Sequence, residues 1–109
     1  MPIRVTPVPG PVRFHGIICE ARFERYTHGG GLAIQLVDPG DECPVATATV
    51  NPTTRVPEGH VAVKDWSENE GILAALVAAR IVRDTGMRIS CGYTSAALCR
   101  LLVTSVDAA

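Results

Sequence analysis

The chain has 109 residues, 47% of them hydrophobic, with 10 Lys and Arg against 11 Asp and Glu, a net charge of −1 and a pI near 6.3. One domain of this length holds one core, with no room for a deep active site beside a cofactor-binding half. The charge balance excludes an overall basic surface for nucleic acid and the overall acidity of a DNA mimic, and the apolar fraction excludes a disordered chain.

Pro2, Pro7, Pro9 and Pro11 make residues 1–11 an extended arm with few ladder hydrogen bonds, since proline lacks the N–H. Met1-Pro2-Ile3-Arg4 opens no apolar signal segment, and no run is long enough to span a membrane. Cys19, Cys43, Cys91 and Cys99 stand far apart, as free thiols of a reducing cytosol do, so a cytoplasmic location is expected.

From Val12 the pattern alternates. Ile17, Cys19, Ala21 and Phe23 share one parity and Ile18, Glu20, Arg22 and Glu24 the other, as in a strand with one buried face. Gly29-Gly30-Gly31 then supplies the positive φ of a hairpin turn, and Leu32 to Val37 is the return strand. Asp38-Pro39-Gly40-Asp41 is a turn, Val45 to Val50 a third strand, Asn51 to Gly59 a loop, and His60 to Lys64 a fourth strand. Ser67 and Glu70 form an S-x-x-E capping box, which predicts a helix over 67–82 with Ile72, Leu73, Leu76 and Val77 on its apolar face. After Arg83-Asp84-Thr85-Gly86 come strands near Arg88–Tyr93 and Ala97–Val103 and a flexible tail at 104–109. The expected fold is α+β: a single domain, 1–109, with an antiparallel sheet of about five or six short strands on one main helix.

Motifs that carry chemistry are missing. His15, His28, His60 and the cysteines lack the C-x2–4-C or H-x3–5-H pairs of structural zinc; the closest pairs are His15 with Cys19 and Cys91 with Cys99. No Ser or Cys sits in a nucleophile elbow, and Gly92-Tyr93-Thr94-Ser95 reads as a turn. The triple glycine is followed by a strand, whereas a phosphate-cradling loop needs a helix there. Asp65, Glu68 and Glu70 are explained by the positive end of the helix dipole. Phe14, Arg22, Phe23, Arg25 and Tyr26 fit a mixed strand face better than a stacking platform for single strands. No metal, cofactor or catalytic residue is therefore assigned, and the chain reads as a non-enzyme.

A partner surface needs large amphipathic side chains. With Phe14 and Phe23 expected in the core, the candidates for protein binding are Trp66 with Glu68 at the helix start, the Tyr26–His28 turn, and Tyr93. Trp66 also stands where a hydrophobic staple would pack on Gly71 or Ile72. Self-association through an exposed strand edge is a competing use of the surface.

Four segments taken together carry a resemblance: Gly31 to Val37, Ala46 to Asn51, Val63 to Leu73, and Gly92-Tyr93 through Cys99-Arg100-Leu101-Leu102. With Lys64-Asp65-Trp66-Ser67-Glu68-Asn69-Glu70-Gly71 as the K-D-[YW]-S-E-N-E-G block, they resemble a family of short, functionally uncharacterised proteins carried by phages, plasmids and integrative elements of bacteria. The resemblance spans roughly residues 20 to 102. Asn51 to Gly59 departs from the family pattern, with Thr-Thr-Arg in place of an apolar-proline run. The family lends no catalytic residues. It implies a genetic context in which small proteins act on host machinery, as anti-CRISPR and anti-restriction inhibitors do. The expected partner is thus a protein such as a host defence effector, and a membrane is set aside; a nucleic-acid-binding accessory protein of a phage or plasmid is the alternative reading, and a small metal-binding protein or enzyme of unfamiliar geometry a third.

Overall fold

The computed structural model describes residues 2–29 and 31–106. Antiparallel strands dominate, with one short helix, so the α+β class holds while the single sheet does not. One sheet joins β1 (Pro2–Ile3), β4 (Ile17–Arg25), β5 (Leu32–Asp38) and β6 (Cys43–Thr47), and β3 (Val12–Phe14) pairs with β4 as well. A second sheet runs β7 (Thr49–Val50), β8 (His60–Val63), β10 (Thr94–Leu101) and β9 (Val82–Cys91). A ribbon of β2 (Val5–Thr6) and β11 (Thr104–Ser105) completes the strands.

Alternation decides which residues meet between the sheets. Cys19 and Phe23 of β4, Ile34 and Leu36 of β5, Val61 and Val63 of β8, and Ala97 and Cys99 of β10 turn inward into one core. The helix α1 (Ile72–Ala78) adds fully buried Ile72 and Leu76 and packs on β3 and β9, bridging an edge of each sheet.

At the opposite edges the chain itself makes the join. The predicted strand Val45–Val50 divides into β6 and β7, which belong to different sheets. Ala48 is the corner between them: its N–H donates to the Ile34 carbonyl at 2.8 Å, and its carbonyl accepts from the Lys64 N–H at 2.8 Å. Ala48 is completely buried, and a methyl group is small enough to let both neighbouring strands close in. Thr49, 4% exposed, follows it and accepts the Ile34 N–H on its hydroxyl. The same parity rule that detected the strand could not reveal that it changes sheets.

The predicted helix over 67–82 is corrected to seven residues. Ser67–Asn69 forms a 3-10 turn with Ser67 at φ 56, and Gly71 at φ 94 interrupts the path before α1 begins. No capping box forms. Asp65 replaces it, its Oδ1 accepting the Gly71 N–H at 3.1 Å and the Leu73 N–H at 3.0 Å. At the far end Arg80 adopts φ 60; its N–H donates to Val77 O, and the Ile81 N–H to Leu76 O. This is a Schellman closure, and the fully buried Ile81 and Leu76 supply its hydrophobic contact. Val82 accordingly starts a strand.

Two further boundaries move. Arg83–Gly86, expected to precede the strand near Arg88–Tyr93, lies inside β9, where the register against β10 shifts so that Leu98 faces Met87 but Cys99 faces Asp84. Thr85 and Gly86 are the inserted bulge, held by Asp84 Oδ1 accepting the Gly86 N–H and by the Thr85 hydroxyl donating to Leu98 O. The predicted tail at 104–109 begins as β11, with Thr104 opposite Thr6 and the Val106 N–H donating to Arg4 O; residues 107–109 lie outside the described residues. Within the Pro-rich arm, β1 and β2 each pair with a partner strand.

Candidate functional site

Two local devices build one cleft. The β4–β5 hairpin closes with the Tyr26 N–H donating to Gly31 O at 2.8 Å, which sets Tyr26 and His28 on a projecting turn. Facing it is the loop at 51–59, punctuated by Pro52 and Pro57 and ended by the His60 N–H donating to Pro57 O. The Asn51 side chain ties the two together, its Nδ2 donating to the His28 carbonyl at 3.1 Å.

Between turn and loop lies a cavity of about 520 Å³, within the range of small-ligand and peptide-anchor sites. Leu32, Val50, Val56 and Ala62 line it with apolar surface, and His28, Arg55 and His60 bring nitrogen donors. A second cavity of about 450 Å³ shares Arg55, Val56 and His60 and adds Arg25 and Glu58. Leu32, Arg55, Val56 and His60 line both cavities, which are therefore adjacent parts of one trough.

Tyr26 is half-buried, its hydroxyl 2.9 Å from Thr49 Oγ1 at the sheet corner. Burial pushes this phenol above its ordinary range, opposed by the Thr49 hydrogen bond and assisted by the Cys91 thiol. The His60 Nδ1 donates to Glu58 O at 3.0 Å, which fixes the ring and leaves Nε2 for other contacts. His15 likewise bonds a backbone carbonyl, that of Glu70, and stacks on Phe14 with ring centroids 3.8 Å apart. No histidine is hydrogen-bonded to a hydroxyl or thiol among the described residues, and no three His, Cys, Asp or Glu side chains there could together hold a metal. The cysteines are unbridged, Cys19 and Cys99 buried and Cys43 exposed. The cleft combines apolar surface with the nitrogen donors of His28, Arg55 and His60.

The predicted surface residues fall in different places. Tyr26 and His28 line the cleft. Trp66 adjoins it: with Val50 and Val56 it packs over Ala62, Ile89 and Ala96 on the outer face of the second sheet, and Val50, Val56 and Ala62 belong to the cleft wall as well. Its ring is half-buried and does not staple Ile72, which points into the main core. Glu68 stands beyond Trp66, where Lys64 Nζ reaches its Oε2 at 2.6 Å and holds the carboxyl below its usual range. The Lys64 ammonium also lies 6.0 Å from the indole centroid, at the limit of a cation–π contact. Tyr93 is fully exposed at the tip of the β9–β10 hairpin, outside the cleft lining.

Arg55, Asn51 and Val56 escaped the sequence reading, which gave residues 51–59 no role beyond a connection. Two prolines in a nine-residue loop around a lone arginine were the available signal, because prolines stiffen a loop enough to make it a wall. Among the described residues no helix is long and apolar enough to cross a membrane. Comparison with family models, with curated proteins and with solved structures finds no match to this chain.

Proposed function

We propose that the chain is a non-enzymatic protein-binding module of a bacterial mobile element, acting as an inhibitor of a host defence effector of the CRISPR or restriction type. The single observation that carries the binding role is the trough between the 26–31 turn and the 51–59 loop, whose apolar wall runs on to Trp66. An apolar floor edged by fixed polar groups and flanked by a tryptophan is the composition of a protein docking site. The genetic context rests on the K-D-W-S-E-N-E-G block and the segments that accompany it.

A plating panel tests this reading. Phage are plated on strains carrying individual CRISPR or restriction systems, each with and without the expressed chain. Relief of one system is expected, together with co-purification of its effector and loss of relief in a His28→Ala, Arg55→Ala double variant. Equal plating across the whole panel would sink it.

A further inference from the structure

The charge around the trough is out of keeping with the chain as a whole. The first cavity is lined by Arg55, His28 and His60, and no Asp or Glu lines it among the described residues. The second adds Arg25 and the single carboxylate of Glu58. Yet the chain carries one more acid than bases, so the excess of Arg25 and Arg55 over Glu58 in the lining reflects placement and not composition. Of the acids beside Trp66, Glu68 is engaged by Lys64 and Asp65 by the N–H groups of Gly71 and Leu73.

Arg55 lines both cavities and has no hydrogen-bond or ion-pair partner among the described residues. A planar guanidinium matches a carboxylate through two parallel N–H donors. His28 and His60 line the first cavity with it, and the His60 ring is already oriented by its bond to Glu58 O. Leu32, Val50 and Val56 give the same cavity its apolar surface. Shape then limits the occupant. Two adjacent cavities that share Leu32, Arg55, Val56 and His60 suit a chain lying extended, whose side chains on one face repeat every ~6–7 Å. A nucleic-acid strand is less suited, because Tyr26 is the only phenyl-type ring in the lining and its hydroxyl is engaged by Thr49.

We infer that this trough binds an extended acidic peptide segment of the partner protein, a carboxylate seated on Arg55 between His28 and His60 and a neighbouring apolar side chain on Leu32, Val50 and Val56. The inference rests on the protein-binding reading and adds the chemistry of what is bound.

The test is titration of the nitrogen-15-labelled chain, followed by amide NMR, with four probes: a blocked peptide alternating Leu and Glu, the same peptide with Gln for Glu, inorganic phosphate, and a short single-stranded oligothymidylate. The acidic peptide should shift the amides of His28, Leu32, Arg55, Val56 and His60, and bind about tenfold or more tighter than the Gln peptide. Arg55→Ala should remove about that margin, Arg55→Lys should restore part of it, and an unchanged spectrum away from the loop verifies folding. Equal binding of both peptides overturns the charge assignment and leaves the docking site standing. Stronger binding of phosphate or oligothymidylate overturns the peptide assignment and the protein-binding reading together. Silence of all four probes overturns the inference alone, since the plating panel judges the wider reading separately.

Discussion

A single carboxylate holds the start of the helix. Asp65 lies outside the helical run, yet its Oδ1 accepts from Gly71 and Leu73, the N–H groups that a local cap would otherwise satisfy. Gly71 cannot cap for itself, and Ser67, which the S-x-x-E pattern nominates, is turned away at φ 56. Asp65→Ala should therefore cost about 1–2 kcal/mol, measured as a lower urea midpoint with an unchanged slope. Ser67→Ala should cost far less. Equal losses from the two changes would show that the capping box operates in solution. The sequence pattern named the right function for the wrong residue: spacing reports which groups could meet along a regular helix, whereas Gly71 makes the approach irregular.

At the scale of elements, the strands were legible wherever alternation and turn residues agreed, as in the hairpin from Ile17 to Asp38. The boundaries that misled were those set by tertiary contact. Leu76 to Val82 reads as helix by composition, but burying Ile81 against Leu76 requires the chain to reverse at Arg80. Arg80 occupies a left-handed conformation that costs an L side chain about 1–2 kcal/mol. Arg80→Gly should relieve it and raise stability by about 0.5–1 kcal/mol, after allowing for the greater freedom of glycine in the unfolded chain. Thermal unfolding of the two proteins decides; a lower midpoint in the variant would mean that the guanidinium contributes contacts outweighing the strain. The corner at Ala48 was illegible for a related reason. Alternation fixes which face a residue takes, and both sheets offer an inward face.

The whole molecule responds to pH mainly through its core thiols and its surface pairs. Burial, with Asp84 and Asp65 adding to it, pushes the Cys99 thiol up from 9.0 to about 12. The unfolded chain ionises this group first, so stability is fully present below pH 9.0 and is lost as pH rises toward about 12. Cys19 shifts the same way, chiefly through burial. Urea midpoints measured between about pH 8 and about pH 11 should fall, and Cys99→Ala should flatten the slope. A slope unaffected by the substitution would place the alkaline loss elsewhere. On the acid side, Arg22 lowers the Glu42 carboxyl and Lys64 lowers that of Glu68; both pairs support the fold above the ordinary carboxylate range, and their small surface contribution is lost as pH falls below that range through the lowered values. Of the cleft, the sequence disclosed Tyr26 and His28 because a glycine turn displays its flanking side chains. Arg55 and Val56 stayed hidden, since only the folded chain brings a loop beyond β7 against the turn after β4.

The pairing of Thr104 with Thr6 joins segments nearly the whole chain apart. During synthesis on the ribosome, β2 emerges early and finds no partner until β11 has been made. Contacts so distant in sequence slow the search for the native state, and until they form the early strand presents an open edge to other nascent chains. Pro7 and Pro9 follow directly behind that edge, where missing N–H groups limit how far an intruding strand can extend the ladder. Prolines placed directly behind β2 thus restrict pairing at that edge for as long as β11 is still to be made.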